Sequence, residues 1–273
     1  MQTLRKNSQH PNVLRWQSFL FDLEYLNQTP SGVFDESTVK ATKLFQAANG
    51  LKPDSIVGGV TWGLIELQSY LLKYSDYESA SKRLGCRIES ILAVSKVESP
   101  GSGFFPDGRP RILFEGHIFY DRLEEAGLDP EAYRKEFPDL IYPKWDKTHY
   151  KGYGKPKTIN IDDEYERLNI ARTIHEQAAL KSASWGKYQI MGFNHECCGY
   201  GRLIDFLYDI QISESNHLEM FVEFIIYKGL KESLINGRWA EFAKGYNGSQ
   251  YKLNRYDVII GEAFDLFDSL KLI

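Results

Sequence analysis

Apolar residues recur at helical spacing through nearly the whole chain, and strict alternation is confined to one short run, "RPRILFEGHIF". That imbalance predicts a mainly α protein with a short β element, because a period near 3.6 gathers such residues on one face of a helix. With 273 residues the chain can build more than one core. Residues 1–72 predict a small three-helix domain. Residues 78–273 predict a larger, mostly helical one. The join, "LLKYSDY", has no Gly/Ser-rich linker, so the two parts are either closely docked or connected by continuous helix.

In the first part, Pro11 opens one helix. "DESTVKATKLFQAANG" supplies the second, with acidic residues in its first turn and Asn49-Gly50 as its stop. The third holds Thr61 and Trp62 and runs to about Leu72. The pair Trp16-Gln17 recurs as Phe45-Gln46, each late in an apolar helical run. The turns "SGVFDEST" and "SIVGGVT" both lead into a helix through a threonine. Two facing helical units, or coincidence, would produce this echo. In the second part, helices are predicted over "CRIESILAVSKVE", "DDEYERLNIARTIHEQAAL", "GRLIDFLYDIQI", "NHLEMFVEFIIYKGLKESLI", "GRWAEFAKGY" and "RYDVIIGEAFDLFDSL". "RPRILFEGHIF" reads as a strand or as a strand running into a helix. "LIYPKWDKTHYKGYGKPKTIN" reads as a long loop, the kind that tends to carry function.

Glu98 is the most informative residue. Ile88, Ile91, Ser95 and Glu98 follow one another at three, four and three residues, so Glu98 shares the core-forming face of its helix. It also ends that helix, just before Pro100-Gly101, where the helix dipole disfavours negative charge. Burial disfavours the ionised form too. A carboxylic acid still protonated near neutral pH is what general-acid catalysis needs. The competing reading pairs Glu98 with Arg109 or Arg111. On a strand, Leu113, Glu115 and His117 would share one face, and Glu115 would offer a second carboxylate. Paired carboxylates mark glycoside hydrolysis. Ser182, Ser184 and Gly186 read as a tight polar turn followed by Tyr188 and Gln189. Tyr246, Asn247 and Gly248 read as a turn with an exposed aromatic. Such groups suit sugar hydroxyls and N-acetyl groups; packing aromatics and an ordinary loop are the plain alternatives.

Other classes fit poorly. The net charge is −4, so the basic footprint of a nucleic-acid binder is missing, although lysines and aromatics mingle in "YPKWDKTHYKGYGKPK". Apolar windows such as "MFVEFIIYKGL" are short and broken by charge, which predicts no membrane insertion. The start of the chain lacks the apolar run and cleavage site of a signal peptide, which predicts synthesis in a cytoplasm. Cys86, Cys197 and Cys198 form no disulfide framework, and "HECC" supplies no second matched pair for a metal. No metal or other cofactor is expected.

Three separated motifs occur in order: "ILAVSKVESPGSGFFPDGRPRILFEGHIF", "SASWGKYQIMGFN" and "YNGSQYKLNRY". Together they resemble the N-acetylmuramidase catalytic domain of modular phage endolysins, a domain related in plan to the goose-type lysozymes and lytic transglycosylases. The resemblance covers about residues 78–273. Over about residues 4–70, "HPNVLRWQSFL", "GVFDESTVKATKLFQAANGL" and "PDSIVGGVTWGLIEL" resemble the small three-helix peptidoglycan-binding domain. Asp35 departs from that pattern where glycine often follows the phenylalanine, and Ser55 departs where "DG" is usual. The resemblance implies a lysozyme-like fold in the second part. It implies an enzyme that cuts the β-1,4 bond between N-acetylmuramic acid and N-acetylglucosamine and lyses bacteria. A lytic transglycosylase forming 1,6-anhydro products, or a non-catalytic wall-binding module, is the alternative. It implies Glu98 as general acid, Glu115 as second carboxylate, and Tyr188, Gln189, Tyr246, Asn247 and Ser184 as substrate-positioning residues. The partner would be peptidoglycan, and the enzyme a monomer that reaches the wall from the host cytoplasm through a membrane lesion.

Overall fold

The computed structural model describes residues 2–99, 101–149, 161–249 and 251–269. Pro100, in the break after Glu98, and residues 150–160 of the expected long loop lie outside the described residues.

The first part comprises α1 (Pro11–Asp22), α2 (Glu36–Ala48) and α3 (Gly59–Gly63). A 3₁₀ turn over Leu64–Leu67 follows α3, so the third helix ends short of Leu72. The glutamine echo is structural. The Gln17 Oε1 accepts from Ser31 N (2.9 Å) and Gly32 N (2.7 Å), and its Nε2 donates to Val33 O (2.9 Å) and Thr38 Oγ1 (2.7 Å). The Gln46 Oε1 accepts from Ser55 N (2.8 Å), and its Nε2 donates to Ile56 O (3.0 Å) and Asp54 Oδ1 (3.2 Å). Each buried amide closes the turn that leads into the next helix. Val33 and Val57 in those turns each bridge back to the N-terminal segment, at Gln9 and Leu4.

Both departures from the domain pattern have a physical reading. Asp35 caps α2: its Oδ1 accepts from Thr38 N (2.9 Å), Thr38 Oγ1 (2.7 Å) and Ser37 Oγ (2.8 Å). Those bonds outweigh burial and hold its carboxyl below the usual range. A cap of this kind contributes about 1 kcal/mol. Ser55 sits at φ +59°, the left-handed region where glycine would be unstrained.

The second part runs α4 (Tyr74–Leu84), α5 (Ile88–Glu98), β1 (Ile112–Phe114), α6 (Gly116–Glu125), α7 (Pro130–Arg134) and α8 (Ile161–Lys181). It continues through β2 (Ala183–Trp185), β3 (Ile190–Met191), α9 (Leu203–Asp209), α10 (Glu214–Tyr227), α11 (Lys231–Ile235), α12 (Trp239–Asn247) and α13 (Tyr256–Ser269). The strands form one antiparallel sheet in the order β1-β2-β3, with Leu113 opposite Ser184 and Ser184 opposite Met191. The alternating run is therefore a strand that turns into a helix. Glu115 sits at the N-cap of α6 and His117 lies on the helix, so the two do not share a strand face. The helix expected over "NHLEMFVEFIIYKGLKESLI" divides into α10 and α11, with Gly229 at φ +66° between them. A kink at His175 interrupts α8, and the His175 Nδ1 accepts from Ala178 N at 3.1 Å.

Buried apolar side chains form one cluster that runs from Leu4 to Phe267. At its centre lies α5, with Ile91, Leu92, Ala93 and Val94 fully enclosed between α2, α4 and α13. Burying each large one contributes about 1.5–3 kcal/mol, enough to fix the last turn of the helix. The two parts are closely docked. Tyr74 N donates to Leu23 O (3.1 Å), Tyr77 OH to Ala48 O (3.2 Å) and Lys96 Nζ to Gly50 O (3.3 Å).

Candidate active site

Glu98 is the last residue of α5, and apolar packing of the turns before it carries it into the protein. Its side chain is half-buried. Burial pushes its carboxyl up from 4.5 to about 7, against one opposing hydrogen bond from Asn247. That bond runs from Asn247 Nδ2 to Glu98 Oε1 at 2.8 Å. Asn247 is delivered by the end of α12, which packs on α13, which in turn lies along α5. Two motifs 149 residues apart in the chain thus meet at one carboxyl. Neither arginine of the competing reading is needed: Arg109 Nε donates to Asp107 Oδ2 (2.7 Å), and Arg111 Nε to Ser102 O (2.7 Å).

Tyr246, beside Asn247, is half-buried in α12 rather than exposed on a turn. Its hydroxyl donates to Tyr188 O at 2.6 Å, and its ring stacks on Phe242. Tyr188 is buried with its ring on Phe221. Ser184 and Gln189 meet each other: Ser184 Oγ donates to Gln189 Oε1 (2.8 Å), and Gln189 Nε2 to Gly186 O (2.7 Å). Gln189 adopts φ +46° in the β2–β3 turn. Ser184, Gln189 and Tyr246 thus brace the hairpin with hydrogen bonds of their own.

Glu115 stands at the start of α6, with Glu115 Oε2 at 3.4 Å from His117 Nδ1. Burial lowers the His117 pKa, against a raising influence from Asp121, and favours the neutral ring. Tyr256, the first residue of α13, lies within the electrostatic reach of both carboxyls. Its hydroxyl is held in the protonated form by burial, then by the charge of Glu98, then by that of Glu115. Tyr256 is the last residue of the third sequence motif, where its identity alone assigns it no role. Arg255 before it, at φ +54°, is the local device that starts the helix there.

A half-buried carboxyl poised near neutrality at the end of a core helix is the kind of group that a glycosidase uses as its general acid. Comparisons with known proteins agree with that class. The sequence model of the N-acetylmuramidase family matches residues 87–268, and that of a putative peptidoglycan binding domain matches residues 9–65. The crystal structure of the Burkholderia AP3 phage endolysin matches with a TM-score of 0.66 at 34% identity, across 98% of this chain and 100% of that one. An uncharacterised protein from the bpoA1 3′ region of Kitasatospora aureofaciens is 43% identical over 47 residues, which are 17% of this chain and 40% of that protein. The match to that protein thus spans less than half of its length.

The chain belongs to the N-acetylmuramidase family. It is a peptidoglycan hydrolase of the endolysin type, a glycosidase directed at the bacterial cell wall with an N-terminal peptidoglycan-binding domain. No helix among the described residues is long and apolar enough to cross a membrane.

Proposed function

We propose that Glu98 is the general acid that cleaves the β-1,4 bond between N-acetylmuramic acid and N-acetylglucosamine. The observation that carries this reading is its carboxyl, pushed up to about 7 by burial at the end of a core helix, with a hydrogen bond from Asn247. Asn247 donates to Oε1, which leaves Oε2 to carry the proton. Transfer of that proton to the glycosidic oxygen lets the bond break as positive charge builds on the muramic C1. Glu115 orients or deprotonates the water that attacks C1. Tyr256 keeps a neutral hydroxyl within the reach of both charges. Tyr188, Gln189, Tyr246 and Ser184 contribute by holding the wall of the cleft, and Asn247 by fixing the acid.

On the same reading, residues 1–72 hold the enzyme on the wall and residues 78–273 cut it. The enzyme acts as a monomer, is made in the host cytoplasm and reaches the wall through a membrane lesion. Product analysis on purified peptidoglycan tests the chemistry. The expected products carry reducing N-acetylmuramic ends, with one water added per cut, and Glu98→Gln yields none. Anhydromuramic ends, or wall dissolved by Glu98→Gln, would overturn the reading.

A further inference from the structure

The segment that follows Glu98 is held by a buried charge pair that the chemistry above does not use. Lys187 and Glu214 are both fully buried, with Lys187 Nζ 3.1 Å from Glu214 Oε2. Glu214 is the first residue of α10, and Lys187 lies in the β2–β3 turn, just before Tyr188. The other oxygen, Glu214 Oε1, accepts from Ser102 Oγ (2.8 Å) and from Gly103 N (2.6 Å). Lys187 Nζ also donates to Gly101 O (3.1 Å). Three consecutive residues, starting three positions after Glu98, are thereby tied to this one pair.

The neighbourhood is built to receive it. Lys187 N donates to His217 Nδ1 (3.1 Å), and His217 Nε2 donates to Ile210 O (2.6 Å), which fixes a neutral ring. Burial lowers the pKa of that ring to about 4. A Cβ on Gly103 would stand 2.7 Å from Lys187 N and 2.8 Å from His217 Nδ1; one on Gly186, at φ +70°, would stand 2.8 Å from the His217 ring. Phe104 stacks on His217 and packs at a tilt against Tyr70, and the Tyr70 carbonyl accepts from Glu214 N at 2.8 Å. The pair therefore joins the turn after Glu98, the hairpin and α10 to the segment that leaves the N-terminal domain.

A buried ion pair is weak evidence for stability, since desolvation offsets its attraction; its better-attested use is to select one arrangement over others. We propose that Lys187 and Glu214 are positioning residues for the cleavage reaction: the pair clamps residues 101–103 and so fixes the end of α5 and the orientation and dryness of Glu98. This inference rests on the reading of Glu98 as the acid.

The test is kinetics of the double variant Lys187→Met/Glu214→Gln, which removes both charges and keeps an amide oxygen toward Ser102 and Gly103. It is expected to fold, with KM changed less than about twofold and kcat lowered by about 10- to 100-fold, the scale of a small misplacement. The alkaline limb of its kcat–pH profile moves to lower pH, because a loosened turn lets water reach Glu98. A folded double variant with wild-type kcat and an unmoved limb overturns the clamp, whatever its melting temperature. Should the double variant fail to fold, Ser102→Ala keeps the pair and cuts one strand of the clamp. A fall in kcat with the same limb shift supports the proposal there, and no change in either overturns it. Glu98→Gln assayed alongside separates the two ideas: an active Glu98→Gln removes the general-acid reading itself, whereas an inactive one beside an unaffected double variant removes only the clamp.

Discussion

Gln17 and Glu98 are both polar residues set on the apolar face of a helix, yet they are treated in opposite ways. Gln17 is wholly buried, and its amide oxygen and nitrogen meet the backbone and hydroxyl of one turn on every side. Glu98 keeps an edge toward solvent, with a hydrogen bond from Asn247 and a burial that opposes its charge. The contrast separates structure from chemistry. A buried polar group with all its partners supplied specifies a fold. One left short of partners is costly to keep, and its retained proton is available to a substrate.

Breaking the second member of the comparison has the largest effect. Glu98→Gln is expected to lower kcat on purified wall by about 10² to 10⁴-fold, the range of a lost general acid. The same variant sharpens the point about cost. The folded state holds the Glu98 proton up to about pH 7, while the unfolded chain releases it near 4.5, so wild-type stability falls as pH rises through that window. Denaturant unfolding should show Glu98→Gln matching wild type at pH 4 and exceeding it by about 1–3 kcal/mol at pH 8. Equal stability at both would mean that burial does not penalise the charge.

Gln17→Ala should do the reverse. Loss of about 1–2 kcal/mol is expected in the same unfolding assay, because the turn at Ser31–Gly32 loses the side-chain amide that its two N–H groups donate to. Cleavage of soluble wall fragments by the folded fraction should be unchanged. Asn247→Ala removes the bond that favours ionised Glu98, so the alkaline limb of the rate profile should move to higher pH, with kcat at low pH falling less than about tenfold. A limb displaced to lower pH would contradict the assigned geometry. The smallest effect belongs to Ser55→Gly, which relieves φ +59° and is expected to stabilise by a few tenths to about 1 kcal/mol, measured as a raised Tm.

Much of this contrast can be read from spacing. The periodicity of "CRIESILAVSKVE" locates a helix, puts Glu98 on its inner face and ends it at the right residue. The paired aromatic-glutamine motifs are visible too, but residue identity alone cannot separate a repeat from coincidence. Only the matching bonds to Ser31 and Ser55 do that. What sequence hides is who satisfies whom. Gln189 has the composition of a sugar ligand, yet its amide closes its own hairpin, a consequence of a left-handed backbone that no pattern announces. Lys187 reads as a surface lysine until α10 brings Glu214 against it. Tyr256 gains its place only because α13 lies along α5. The last two depend on contacts between segments distant in the chain, where local propensity is silent.

The shared core of the two parts has a mechanical consequence. With Ala48 and Gly50 bonded to the elements that carry Glu98, there is no slack between anchor and blade. The separation from the wall-gripping surface to the scissile bond is a built-in length, like the gap of a punch. If the first part grips the wall and Glu98 cuts it, as proposed, such an enzyme has to release its hold before it can reach another bond, and the time spent gripping would set the pace at which it travels.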